Sequence, residues 1–298
     1  MTRTPVLSIV VPSYNQGTYL RRTLESLVDQ ADDGCLEIIV QDAHSDDQTA
    51  QVLRDFAQLP FLHIYVEADR GQSHAINLGL SKAKGSVFSW LNSDDVILPG
   101  AVAAVVEAHL ENPHVDFIYG DAWFINEHDM PVRAYPTGEP ILEVMKHRCV
   151  LSQPSCFFTR KSIERLGGLR EELNFCMDYE LWLRMLQANV EPLRLDAVLS
   201  CTRLHDQTKT STGGLDFVNE IISMQEDRLG CASPVWRMYQ NARSPKLAWV
   251  PGKSLRFAAA AALTWYQSVD FARIALHSYR ERQRAGRRAS NMACKHVP

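Results

Sequence analysis

Alternation of short β-branched runs with amphipathic stretches restricts this chain more than any other feature. Residues 6–11 form one such run, and residues 18–30 behind it place Leu20, Leu24, Leu27 and Val28 at helical spacing. The unit recurs at 36–40 with 47–56, at 62–66 with 72–82, and at 87–91 with 99–110. Gly85 suits the position just past the third helix, and Pro99 the first turn of the fourth. Strands joined by single helices imply right-handed crossovers, hence an α/β fold with a mostly parallel sheet covered by helices on both faces. In such a sheet a ligand lies beyond the carboxyl ends of the strands.

Each expected strand end is followed by a polar cluster: Pro12-Ser13-Tyr14-Asn15, then residues 42–47, then Asp69-Arg70-Gly71-Gln72, then Asn92-Ser93-Asp94-Asp95. Four loops would line one crevice. The last cluster is the most pointed, because adjacent carboxylates leaving a buried strand offer hard oxygen ligands where a divalent cation and a phosphate-bearing ligand can meet. Asp-Asp at such a place also serves as a plain turn or cap, so the other loops must decide.

A further strand is expected at 117–121, after which the alternation lapses. Residues 122–155, with Pro131, Pro136 and Pro140, read as an irregular excursion. Residues 178–186 read as a helix with Leu181, Trp182, Met185 and Leu186 on one face. Asp178 falls in its first turn, where exposed N–H groups favour a carboxylate, and capping alone would account for it. Gly167-Gly168 reads as a helix C-cap and turn.

A chain of 298 residues with 46% apolar content can bury one large domain plus an appendage. The expected division is an α/β domain at 1–214 and a helical C-terminal region with a basic tail at 215–298. Charge divides the same way: residues 231–298 carry twelve Lys/Arg against two Asp/Glu, leaving nineteen against thirty-three for the rest. An acidic body excludes a nucleic-acid groove there, since phosphate-backbone binding needs concentrated positive charge. The basic run Arg280, Arg282, Arg284, Arg287 and Arg288 suits a peripheral contact with anionic lipid, or else a solvated tail. The seven cysteines show no Cys-x-x-Cys and read as reduced core thiols. No apolar leader precedes the first strand, and the Ala-rich stretch 255–276 is interrupted by Arg256, Asp270 and Arg273. Cytoplasmic residence, peripheral to the inner face of a membrane, is the expectation.

Assembled in order, 7–17, 37–42, 69–73, 90–95 and 177–184 resemble the inverting family 2 glycosyltransferases of the GT-A fold, over roughly residues 6–212. The resemblance implies a non-processive transferase, since the Gln-x-x-Arg-Trp motif of processive synthases is absent. It implies a nucleotide-sugar donor, UDP- or dTDP-linked, a saccharide or lipid-linked acceptor of bacterial cell-surface synthesis, and Mn²⁺ or Mg²⁺ as cofactor. Asp94 matches the third position of the family's Asp-x-Asp metal motif. Asn92 stands where the first aspartate would be and takes a hydrogen-bonding role, with Asp95 an alternative ligand. Pro12 and Tyr14 would pack beside the base, Asp42 would read its edge, and Asn15, Gln72 and Ser93 would complete the donor contacts. Gln41 and the turn Ala43-His44 depart from the family pattern, which leaves nucleotide preference open. Arg70 matches a basic position near the diphosphate, or else pairs with Asp69 or Glu67. Asp178 matches the catalytic base. His205, in the stretch 203–210, matches a loop that closes over the donor and offers a third metal ligand. Gln153-Pro154-Ser155 resembles a segment facing the acceptor.

The chemistry asks for such parts. Displacing a nucleoside diphosphate from an anomeric carbon builds negative charge on the leaving phosphate, which a cation offsets without proton transfer. Two rival readings remain: a nucleotidyltransferase that makes a sugar nucleotide, disfavoured by the scarcity of glycine in residues 12–22, and a silent nucleotide-sugar binder, kept alive by Asn92, Gln41 and His44.

Overall fold

Strand β1 (Leu7–Ser13) is buried along its whole length, which explains why its sequence shows no polar alternation. It lies between β2 (Leu36–Asp42) and β4 (Val87–Trp90), both parallel to it, with Leu7 level with Leu36 and with Val87. Beyond β2 comes β3 (Leu62–Val66), also parallel. On the other side β8 (Cys156–Thr159) runs antiparallel to β4 and to β6 (Phe117–Ile125). Next come β9 (Pro192–Arg203), parallel to β6, and the short β5 (Val96–Ile97), antiparallel to β9. The order is β3-β2-β1-β4-β8-β6-β9-β5, with β7 (Pro131–Ala134) paired to β6. The computed structural model describes residues 4–31, 34–244 and 252–267. The basic run 280–288 and Cys294 lie outside the described residues, so the lipid contact expected there is a matter of sequence alone.

Helices α1 (Gly17–Val28), α2 (Thr49–Phe56), α3 (Gln72–Lys82) and α4 (Ala101–Glu111) alternate with the parallel strands as expected. The stripe Leu20, Leu24 and Leu27 of α1 is fully buried against Ile9, Val11 and Ile38. Two boundary residues act differently from expectation. Gly85 does not sit in the left-handed region; a Cβ there would lie 2.7 Å from the Ser8 nitrogen, so close packing against β1 is its reason. Pro99 precedes the helix, and Gly100, at φ 83°, makes the turn into it.

Residues 122–155 are more regular than the sequence suggests. The strand continues to Ile125, turns at 126–130 and returns as β7, and α5 (Leu142–Met145) follows. Edge residues Val132 and Met130 are exposed, and an exposed hairpin of this kind lacks the buried apolar run that announces a strand. Further on, α6 (Arg160–Arg165) ends in Gly167 and Gly168, at φ 85° and 71°, whose N–H groups donate to the carbonyls of Glu164 and Ile163. That is the cap expected there. Helix α7 (Met177–Gln187) then precedes β9.

The chain divides into two compact units, one of Met1–Tyr135 with Leu151–Leu204, the other of Pro136–Val150 with His205–Pro298. The second unit holds α5, α8 (Lys209–Thr212), α9 (Gly214–Leu229), α10 (Pro234–Arg243) and α11 (Lys253–Gln267). Within it the fully buried Gln225 donates to the Lys146 carbonyl (2.7 Å) and accepts from the Ser233 N–H (2.9 Å), while Ser233 caps α10. Among the described residues no helix is long and apolar enough to cross a membrane.

Gly79 fixes how closely α3 approaches β1, because a Cβ there would lie 2.5 Å from both methyl carbons of Val10. Alanine ordinarily favours a helix interior by about 1 kcal/mol over glycine. Here crowding, at about 1–3 kcal/mol, outweighs that gain. Gly79→Ala is therefore expected to lower the urea midpoint; an unchanged or raised midpoint would refute the close approach.

Candidate active site

The parallel strands end together, and hydrogen bonds stitch their loops. Ala43 donates to the Ser13 carbonyl and Glu67 to that of Asp42, each at 3.0 Å. Asn15 (φ 52°) and His44 (φ 58°) both adopt the left-handed conformation that non-glycine residues seldom take. The Asn15 N–H donates to Ser45 Oγ (2.9 Å), and Asn15 Oδ1 accepts from the Asp46 N–H (3.0 Å). Asp42, buried, receives the Ser45 N–H (3.0 Å) on one oxygen and the Ser45 hydroxyl (2.6 Å) on the other. One lone pair per oxygen is thereby used, which leaves acceptor capacity on a carboxylate. Pro12 is buried beside this loop pair, whereas Tyr14 is 62% exposed. Gln41 belongs elsewhere: its amide is tied to Glu67 (2.8 Å) and Lys82 (3.0 Å), so its departure from the family pattern does not alter the Asp42 loop.

At the end of β4, Asn92 is the hub. Its Oδ1 accepts from Gln72 Nε2 at the start of α3 (2.7 Å), and its Nδ2 donates to Asp95 Oδ2 (3.2 Å). Asp95 Oδ1 accepts the Arg203 N–H (2.9 Å), and the Asp95 carbonyl accepts the Thr23 hydroxyl (2.8 Å). Burial pushes the Asp95 carboxyl well above the usual carboxylate range, and the neighbouring Asp94 charge adds to it, against the bonds from Arg203 and Asn92. Asp95 thus holds the turn together; Ser93 is buried in it, and Asp94 is half-buried. Burial in the same region pushes the Cys201 thiol up to about 11, with the Asp95 and Asp129 charges adding to the effect.

Arg203 does not open a mobile loop as the sequence suggests. It closes β9, its side chain is 1% exposed, and it donates from Nε to the Asp94 carbonyl (2.7 Å) and from Nη1 to that of Asn126 (3.0 Å). Its Nη2 pairs with Asp129 (2.6 Å).

Asp178 lies in the first turn of α7, half-buried, where the Tyr179 N–H donates to its Oδ1 (2.7 Å). Trp182, one turn on and hence on the same side of the helix, stacks on Trp90 (5.9 Å), Phe158 (5.2 Å) and Phe117 (5.8 Å). Trp90 stands two residues before Asn92. The helix that carries Asp178 is thereby seated on the strand that leads to Asp94. Glu180, fully buried, pairs with Arg184 (2.7 Å), whose guanidinium donates to the carbonyls of Leu166 and of Gly168 (2.8 Å). Asn77 of α3 holds the same segment through both backbone groups of Leu169.

Arg70 pairs neither with Asp69 nor with Glu67, the partners expected from sequence. Its guanidinium meets Glu171 at 2.5 Å, while Asp69 accepts the Gly71 N–H and Glu67 pairs with Lys82. Gln153-Pro154-Ser155 does not present side chains outward. Gln153 donates to the Trp90 carbonyl (2.7 Å) and Ser155 to that of Asp121 (2.9 Å), all three residues being buried. His205 belongs to the second unit, where its carbonyl accepts from Thr208. Among the described residues no three His, Cys, Asp or Glu side chains are grouped to hold a metal ion.

The sequence profile described as glycosyl transferase family 2 matches residues 8–167, more than half of the chain. The chain belongs to glycosyl transferase family 2. An uncharacterized glycosyltransferase of Rickettsia typhi is 29% identical over 226 residues, covering 71% of this chain and 68% of that protein. Among solved structures, S. aureus TarS 1–349 in complex with UDP-GlcNAc aligns with a TM-score of 0.61 at 18% identity, over 87% of this chain and 80% of that one. A mannosyltransferase from Pyrobaculum calidifontis in complex with GDP-Man and Mn²⁺ aligns with a TM-score of 0.60 at 18% identity, over 93% and 80%. These likenesses establish the GT-A fold for the family 2 chain.

Two supports of the family 2 site escape motif reading. The Glu180–Arg184 pair carries a signal, two opposite charges one turn apart in a helix rich in apolar residues. Arg203 carries none, since nothing in its neighbourhood tells that a strand end will be covered. Removing Arg184 would strand the Glu180 carboxylate in the core, a loss of about 3–5 kcal/mol. Arg184→Met is expected to cost that much in guanidinium unfolding, and a loss under 1 kcal/mol would show that the pair holds nothing.

Proposed function

We propose that the chain transfers a glycosyl unit from a nucleoside diphosphate sugar to an acceptor hydroxyl, with inversion at the anomeric carbon. One observation carries this reading: the Trp90–Trp182 stack joins the strand leading to Asp94 to the helix that begins at Asp178. A transferase needs one group at the leaving phosphate and another at the attacking oxygen, from separate elements held in fixed relation. Asp178 is the base that takes the proton from the acceptor hydroxyl.

Donor contacts are assigned to the loops stitched at the strand ends. Asp42 retains lone pairs for an N–H of the base edge, Tyr14 offers an exposed ring for stacking, and Pro12 and Asn15 shape the loop beneath it. Gln72, Asn92 and Ser93 hold the turn that faces the diphosphate, and Arg70 sits at the mouth of α3, one residue before its N-cap Gly71. The ligands named for TarS and for the mannosyltransferase are both nucleotide sugars, which supports this donor class.

The donor set fits a cation shared with the diphosphate rather than a cage made by protein alone. Asp94 is a half-buried carboxylate at a strand end, while Asp95 is buried and bonded within the protein to the Arg203 N–H and the Asn92 amide. Mg²⁺ and Mn²⁺ commonly bind through one or two carboxylates plus substrate phosphates. When bound, the cation offsets charge on the departing diphosphate. Asp94 is the residue proposed to hold it.

A thermal-shift screen of UDP-, dTDP- and GDP-sugars with and without Mn²⁺ tests the donor, because a ligand at 100 times its Kd stabilises by about 2.7 kcal/mol. Stabilisation is expected to need Mn²⁺ and to vanish in Asp94→Ala. Asp178→Asn is expected to keep donor stabilisation while losing about 10²–10⁴-fold in turnover. Near-normal transfer by Asp178→Asn would overturn its role, and formation of a sugar nucleotide from a triphosphate and a sugar phosphate would favour a nucleotidyltransferase instead.

A further inference from the structure

The Asn92–Asp95 turn is held from outside the four donor loops by Arg203, at the end of β9. Its guanidinium bridges three points: the Asp94 carbonyl, the Asn126 carbonyl and the Asp129 carboxylate. Its own N–H reaches Asp95, and its Cζ lies over the Tyr19 ring of α1, 5.0 Å from the centroid. The far side of the bridge is itself rigid. Asn126 Oδ1 accepts the N–H groups of His128 (2.9 Å) and Met130 (3.0 Å), which fixes the β6–β7 turn, and Asp129 is paired a second time with Arg22 (3.0 Å).

We infer that Arg203 is a positioning residue that holds the Asp94 turn in its binding shape before any donor arrives, with the β6–β7 turn as its abutment. The reason is geometric. A main-chain carbonyl at Asp94 that is gripped by a buried planar donor cannot rotate freely, and the side chain on the same residue then keeps its direction. Without the grip, ordering the turn would be drawn from the free energy of cation and donor binding. Lysine cannot replace it, because an ammonium lacks the fork that spans two carbonyls and a carboxylate at once. This inference rests on the proposed role of Asp94.

The test has an arm free of metal and an arm that needs it. Hydrogen–deuterium exchange is followed on a peptide spanning 91–98 in the full chain without ligand, where the Asp95 N–H is bonded to the Asn92 carbonyl (3.0 Å). Arg203→Lys and Arg203→Met are expected to speed exchange there while a β1–β2 peptide stays unchanged. The Mn²⁺ concentration for half-maximal donor turnover is expected to rise about 10–100-fold, the usual effect of losing an outer support of a metal ligand. At saturating Mn²⁺ kcat should largely recover, a split that general destabilisation would not give. Asp129→Asn, which keeps the bond to Asp94, should fall between, and it carries the test with Arg203→Lys if Arg203→Met does not fold. Unchanged exchange at 91–98 in a folded Arg203→Lys protein overturns the inference. Faster exchange combined with a wild-type protein indifferent to Mn²⁺ leaves the grip standing and sinks the metal role of Asp94 instead, so the two failures are distinguishable.

Discussion

Aromatic stacking around Trp90 is the contact on which the rest of the first unit depends. Trp90, Phe117, Phe158 and Trp182 are all nearly or fully buried, and their rings lie 5.2–6.0 Å apart at shallow angles. Three of the four come from the strands β4, β6 and β8, where the sheet changes from parallel to antiparallel pairing, and the fourth comes from α7. A side chain of this size contributes through buried area, and stacked pairs add about 0.5–1.5 kcal/mol beyond it. The stack therefore fastens the parallel half to the antiparallel half, and it does so two residues from the turn that carries Asp94.

Polar order is then built on that apolar footing by two arginines of the same design, Arg203 buried and Arg184 nearly so. Arg184 grips the carbonyls of Leu166 and Gly168 and is balanced by Glu180; Arg203 grips those of Asp94 and Asn126 and is balanced by Asp129. In each case a loop that would otherwise fray is held by its backbone. The segment fixed by Arg184 carries Glu171, which meets Arg70; the turn fixed by Arg203 carries Asp94. Arginine suits the task because its donors are rigidly spread and its charge is not lost on burial.

What could be read in the sequence follows from this division. The parallel strands and their helices were legible because full burial of β1, β2 and β4 leaves largely apolar runs, and amphipathic helices repeat every turn; α3 coincides with residues 72–82 as expected. The polar clusters were legible because strand ends in a parallel sheet leave the core together. Illegible were the contacts between residues far apart in the chain, such as Arg203 to Asp94, Arg70 to Glu171, and Gln153 to the Trp90 carbonyl. Each is a polar residue whose partner is a backbone group or a distant charge, and neither leaves a periodic trace. The hairpin at 117–134 was missed for another reason, since β7 is exposed along most of its length and carries no apolar pattern.

The Asp-Asp pair shows how burial separates two identical side chains. Asp95 receives donors on both oxygens and is closed off from water, so the apolar surroundings and the adjacent carboxylate raise its proton affinity. Asp94 offers its carbonyl to Arg203 and only half its surface to the core. A pair of equally exposed carboxylates would repel each other and bind a cation by competition between rotamers. Committing one of them to the turn removes that competition, and replacing the first aspartate of the motif by Asn92 takes away a further negative charge while supplying both a donor for Asp95 and an acceptor for Gln72. Asn92 is therefore better understood as the joint of the turn than as a lost metal ligand.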